Sequence, residues 1–138
     1  MGSHIITYTD GGSRGNPGPG AIGVVILDGK TNEKLFEWGK FIGHVTNNQA
    51  EYSALIAALE KAVEMKVNEV KCLLDSELVV KQLNKEYRVK DPNISELYQR
   101  VVILTKSFKN ITFSHITREK NKEADKLVNE ALDAKLKK

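Results

Sequence analysis

The spacing of apolar side chains changes period near residue 46, and that change restricts the fold more than any other feature of the chain. Before it, three β-branched and aromatic runs follow closely: "HIITYTD", "AIGVVILD" and "KLFEWGKFIG". In the third, Leu35, Glu37 and Gly39 alternate with Phe36, Trp38 and Lys40, the period of a strand with two unlike faces. The turn signal "DGK", Asp28 to Lys30, separates the second run from the third. Strands joined by such short connections pair antiparallel.

Beyond residue 46 the period becomes helical. "NNQAEYSALIAALEKAVEMK" sets Tyr52, Leu55, Ile56, Leu59 and Val63 on one stripe. "EVKCLLD" then reads as a buried strand ending on Asp75, and "SELVVKQLNKE" as a short helix capped by Ser76. "DPNISELYQRVVILTKSF" predicts a helix opened by Pro92, "NITFSHIT" a last strand, and "NKEADKLVNEALDAKLKK" a terminal helix with Ala124, Leu127, Val128 and Ala131 inward. The order βββαβααβα predicts an α/β fold. Its five-stranded mixed sheet has three antiparallel strands, then two parallel ones, with helices on both faces. Right-handed crossovers place strands one, four and five side by side in the middle.

At 138 residues the chain can bury about two-thirds of its unfolded surface in one core. Residues 5–138 are therefore expected to form a single domain, and the opening "MGSH" reads as an expression remnant. Cys72 is the one cysteine, so no internal disulfide forms, and a reduced, buried thiol in a cytoplasmic protein is expected. No apolar run reaches the ~20 residues of a membrane span, and no signal peptide pattern opens the chain. Residues 1–80 hold 7 Lys/Arg against 10 Asp/Glu, whereas residues 81–138 hold 14 against 8. An acidic half beside a basic half suits a metal-dependent enzyme acting on a polyanion, although solvated helix faces account for the same balance.

Four acids stand out by position. Asp10 ends the first strand and Asp75 the fourth. On parallel neighbours both would emerge at the carboxyl edge of the sheet, where open α/β sheets bind ligands. One such Asp is ordinarily a cap; two at adjacent strand ends repel one another. Glu51 shares a helix face with Leu55, Ala58 and Ala62, and Asp125 with Val128 and Leu132. Either of these alone is better accounted for by the helix dipole, worth about 0.3–1 kcal/mol. If all four converge, they cannot stay ionised without cations, and two Mg²⁺ would balance their charge.

The segments "TDGGSRGNPGPGAIGVV", "TNNQAEYSALIAAL", "DSELVVKQLN" and "REKNKEADKLVNEAL" carry these acids in order. They resemble the four motif blocks of the type 1 ribonucleases H, the ribonuclease HI family, and the likeness runs from Ile5 to about Ala134. The resemblance implies a ribonuclease H-like fold. It also implies an endonuclease that hydrolyses the RNA strand of RNA/DNA hybrids with little sequence preference, leaving 5′-phosphate and 3′-hydroxyl ends. By motif position Asp10, Glu51, Asp75 and Asp125 become catalytic ligands of two Mg²⁺ ions, with Mn²⁺ as a substitute. Substrate contacts fall on Gly11, Gly12, Ser13 and Asn16, on Thr46, Asn47 and Asn48, and on Ser76 and Glu77. Thr46 matches a position that helps hold a DNA-strand phosphate, and the asparagines face the minor groove. The glycine-rich stretch then reads as a shaped loop rather than a floppy connector, its prolines limiting its freedom.

Two departures from the family pattern matter. "HITREKNKEAD" is short and lacks the His-containing loop many members carry before the last acid; His115 belongs to the strand, and Arg118 or Glu119 is expected to take over part of that loop's task. "NKEYRVKDPN" replaces a basic protrusion with only Lys85, Arg88 and Lys90, so hybrid binding is expected to be weaker. A monomer with no obligate protein partner is expected. Proofreading exonucleases usually carry Asp-x-Glu in the first strand, where this chain has "TDGG". The alternative from a different class is a catalytically weak hybrid- or RNA-binding module of the same fold, expected to lack at least one acid.

Overall fold

Strand β1 (His4–Ser13) is the strand on which the sheet is built. The computed structural model describes residues 3–136. After β1 come β2 (Gly18–Asp28), β3 (Lys34–Val45), α1 (Asn47–Glu64), β4 (Glu69–Leu74), α2 (Glu77–Leu83), α3 (Pro92–Thr105) and β5 (Asn110–His115). A 3₁₀ turn, Arg118–Asn121, leads into α4 (Lys122–Leu136). β2 pairs antiparallel with β1 and β3 with β2, while β4 runs parallel to β1 and β5 parallel to β4, giving the order β3-β2-β1-β4-β5. The expected α/β class, element order and mixed pairing are all present. One placement differs: β5 adjoins β4 as expected but forms an edge, not the middle, because the meander extends the sheet on the far side of β1.

Side chains alternate along a strand, so β1 faces two cores. Ile5 joins Val24, Ile26, Tyr52, Leu55, Leu59, Val79 and Val101 between the sheet and the helices α1, α2 and α3. On the other face Ala21 packs with Val128 and Leu132 of α4. Each fully buried Leu or Val stabilises by about 1.5–3 kcal/mol, and this burial, rather than helix propensity, holds α1 on the sheet. Cys72 is free and buried, and burial pushes its thiol up to about 12, which makes it an inert core group. No helix among the described residues is long and apolar enough to cross a membrane.

Three local features position the edge where the acids gather. Thr46 Oγ1 accepts from the Gln49 amide (3.1 Å) while Gln49 Oε1 accepts from the Thr46 amide (2.9 Å), a capping box that starts α1 one turn before Glu51. A Cβ at Gly11 would overlap the Ala50 carbonyl, so glycine there lets α1 lie directly against β1. A Cβ at Gly23 would likewise overlap the Ala124 carbonyl, and Gly23 pairs with Asp10. That notch lets the first turn of α4 descend beside Asp10.

Some boundaries move. β1 continues three residues past Asp10, because Gly11, Gly12 and Ser13 pair with Ile22, Ala21 and Gly20. The glycine-rich stretch is therefore a β-hairpin tipped by Arg14–Pro17, held by Ser13 Oγ donating to Gly15 O (2.6 Å) and the Arg14 amide to Pro19 O (2.8 Å). α2 stops at Leu83, with Lys85 at φ 64° closing it. Of the expected remnant, Met1 and Gly2 lie outside the described residues, whereas His4 begins β1 and Ser3 O accepts from the Asn68 and Glu69 amides.

Candidate metal centre and substrate cleft

The β1–β4 register brings Thr9 opposite Leu74, so Asp10 and Asp75 are the first residues past the parallel ladder on two adjacent strands. Glu51, on the first full turn of α1, reaches over β1 just past the parallel ladder, where its Oε1 accepts from the Gly11 amide at 2.6 Å. Asp10, Glu51 and Asp75 each offer an oxygen within 4.8 Å of the others. Asp10 is 5% exposed and Glu51 8%, and carboxylates that buried resist ionisation.

The electrostatics follow from that packing. Burial, then the charges of Asp75 and Asp125, raises the Asp10 carboxyl from its ordinary 3.8 to about 7. Burial, then Asp10 and Asp75, raises Glu51 well above its ordinary range, against the opposing Gly11 amide. Asp125, in the first turn of α4, lies outside the closest trio but lines the same cleft. Its charge reaches Asp10. A set of carboxylate oxygens with no nitrogen or sulfur among them fits a hard divalent cation.

The open cleft around these acids has a volume of about 520 Å³. It contains all four acids together with Gly11, Gly12, Ser13, Asn47, Asn48, Ser76 and Arg118. Asn16 lies at its rim, its Oδ1 accepting from the Asn47 amide at 3.0 Å. Asn47 Oδ1 accepts in turn from the Ser13 amide (2.9 Å), so hairpin and helix start form one frame. Thr46 caps α1 and Ser76 caps α2; each hydroxyl still has its proton to donate. Thr46 and Glu77 are not among the cleft-lining residues, and Glu119 lines a separate cavity of about 240 Å³ with Tyr8, Val25 and Leu27. His115 ends β5, exposed and outside the cleft.

Three further residues, with no role implied by their sequence pattern, also belong here. Arg14 and Asn129 line the cleft, Arg14 paired with Asp133 at 2.7 Å. Asn121 is 1% exposed and its Nδ2 donates to Thr9 O (2.8 Å) and to Asp75 Oδ2 (3.0 Å). Its one sequence signal was a place four residues before Asp125, which reads equally well as a solvated polar position.

Residues 8–131 match a family model described as reverse transcriptase-like. Ribonuclease HI of Halobacterium salinarum is 43% identical over 132 residues, covering 96% of this chain and 66% of that protein. The crystal structure of RNase H1 from this archaeon superposes with a TM-score of 0.92, covering 95% of this chain and 98% of that one. The chain belongs to the ribonuclease HI family. A second ribonuclease of this type, LC11-RNase H1 solved in complex with an RNA/DNA hybrid, is 47% identical with a TM-score of 0.90, over 96% of this chain and 99% of that one. The bifunctional protein Rv2228c of Mycobacterium tuberculosis is 41% identical over 130 residues, 94% of this chain but 36% of that protein. The chain thus spans about a third of the mycobacterial relatives' length. In ribonuclease HI terms, the four motif blocks of the sequence supply the hairpin, the α1 start, the β4–α2 junction and the α4 start that meet at the cleft.

Proposed function

We propose that the chain is an endonuclease that hydrolyses the RNA strand of RNA/DNA hybrids, leaving 5′-phosphate and 3′-hydroxyl ends, with little sequence preference. The observation that carries this reading is the meeting of Asp10, Glu51 and Asp75 within 4.8 Å on a cleft that Asp125 also lines. The hybrid-bound relative at 47% identity supports the substrate class.

In this reading Asp10, Glu51, Asp75 and Asp125 hold Mg²⁺, with Mn²⁺ as a substitute. Two such ions supply activation of the attacking water and stabilisation of the leaving oxygen in an in-line displacement. The protein's own work is placement. The Gly11 amide orients Glu51, and burial keeps bulk water from screening the acids. Burial and the neighbouring charges make Asp10 and Glu51 hold a proton more tightly than free carboxyls do, and a cation bound there would compete with those protons, so metal affinity should rise with pH.

A hybrid presents a wide, shallow minor groove with 2′-hydroxyls on one strand alone. Gly12, Ser13 and Asn16 on the hairpin, and Asn47 and Asn48 at the start of α1, follow that groove. Asn47 Oδ1 is taken up by Ser13, which leaves its amide protons to donate. The Thr46 hydroxyl donates to a DNA-strand phosphate, and Ser76 and Glu77 meet the RNA strand beside the scissile bond. None of these groups reads base identity. Arg118, which lines the cleft, is better placed than Glu119 to help with the second ion or product release. The enzyme acts as a monomer.

The test is a hybrid labelled on each strand, incubated with Mg²⁺ beside single strands and double-stranded RNA, with Asp75→Asn as control. Cutting of the hybrid's RNA strand alone is expected. Cleavage of the DNA strand, or of nothing, sinks the proposal.

A further inference from the structure

Asn121 occupies an odd position for a side chain kept for stability. It is 1% exposed, and its Oδ1 has no hydrogen-bond partner. A buried acceptor left unpaired is unfavourable, and an apolar residue would fill the same space without that cost. What it does have is two well-used donors. Nδ2 reaches the Thr9 carbonyl at 2.8 Å and Asp75 Oδ2 at 3.0 Å. The reverse amide orientation would set Oδ1 against these same two acceptors, so the hydrogen bonding fixes which end is nitrogen.

The places it joins are those of the metal centre. Thr9 immediately precedes Asp10 on β1, and Asp75 is the first residue after β4. Asn121 closes the 3₁₀ turn that leads into α4, one turn before Asp125. Asp75 is half-buried and belongs to neither strand nor helix, so no ladder or helical bond restrains its residue. An unrestrained carboxylate there would turn freely about χ1 and χ2.

We propose that Asn121 is the positioning residue for Asp75: by engaging Oδ2 it presents Oδ1 to the cation and locks β1, β4 and the start of α4 at one spacing. This rests on the reading of Asp75 as a metal ligand. Partners of this kind orient ligating carboxylates, and losing one typically costs about 10–100-fold in metal affinity or activity.

The test is calorimetric titration of Mg²⁺ and Mn²⁺ into substrate-free protein, comparing wild type with Asn121→Ala and with Asn121→Leu, which keeps the volume but loses both donors. Expected are a metal affinity about 10–100-fold weaker in both variants, and a lowered kcat that rises again at high metal while KM for the hybrid holds. A merely structural role predicts a lower melting temperature with unchanged metal affinity, and that result overturns the proposal. Should the variants fail to fold, the wild type decides: its Asn121 side-chain amide signal must shift as Mg²⁺ is added, and an amide that ignores the ion refutes the inference. Variants that bind metal as tightly as wild type sink only this proposal; a wild type that binds none removes the proposed function as well.

Discussion

Replacing Asp10 by Asn should make the metal-free protein more stable at pH 8, with no gain at pH 4. Burial and the charges of Asp75 and Asp125 raise the Asp10 carboxyl from 3.8 to about 7. Between those values the folded state holds a proton that the unfolded chain has released. The stability that this proton contributes therefore falls as pH rises through that window and is gone above about 7. At about 1.4 kcal/mol per tenfold in proton affinity, the rise from 3.8 to about 7 corresponds to ~4 kcal/mol at most. Because Glu51 and Asp75 share the repulsion, a gain of about 2–4 kcal/mol is expected for the isosteric amide. In a chain of this size that is about 6–15 °C in Tm. The assay is thermal and urea unfolding of both proteins in a chelator at pH 4, 6 and 8, repeated with Mg²⁺. The gap should open with pH and close when the ion stabilises the wild type alone. Parallel curves at every pH, or a wild type more stable at pH 8, would refute the electrostatic account of the site.

Gly11→Ala drives a Cβ into the Ala50 carbonyl, so urea melts should show a loss of about 1–3 kcal/mol, and cleavage should fall further than stability because Glu51 moves with α1. Thr46→Ala removes the α1 cap and should cost about 1 kcal/mol; Thr46→Ser should restore both stability and hybrid affinity if the hydroxyl serves both. Hybrid binding by Asp10→Asn without divalent metal should be weak and fall with salt, since Lys85, Arg88 and Lys90 are the basic residues between α2 and α3. A dissociation constant that stays tight there contradicts the dependence on metal-bridged contacts. Arg118→Ala should lower kcat more than Glu119→Ala, and near-full turnover in both would end the idea that either takes over from the absent His-containing loop.

Whatever is local could be read from the residues alone. Apolar periods of two and then 3.6 specified the order of strands and helices, because those periods state which side chains must leave water. Ser76 and Pro92 marked helix starts, since such signals act over only a few residues, whereas the Thr46–Gln49 capping box emerged with the structure. The inward faces of Glu51 and Asp125 were legible for the same reason. Distant meetings were not. The Thr9–Leu74 register that sets Asp10 beside Asp75, the notches at Gly11 and Gly23 that admit two helices, and the edge position of β5 come from how whole elements pack. So does Asn121, whose partner carbonyl lies 112 residues away and whose own neighbourhood reads as solvated charge. Periodicity tells a residue which way to face; only the packed sheet and helices decide what it finds there.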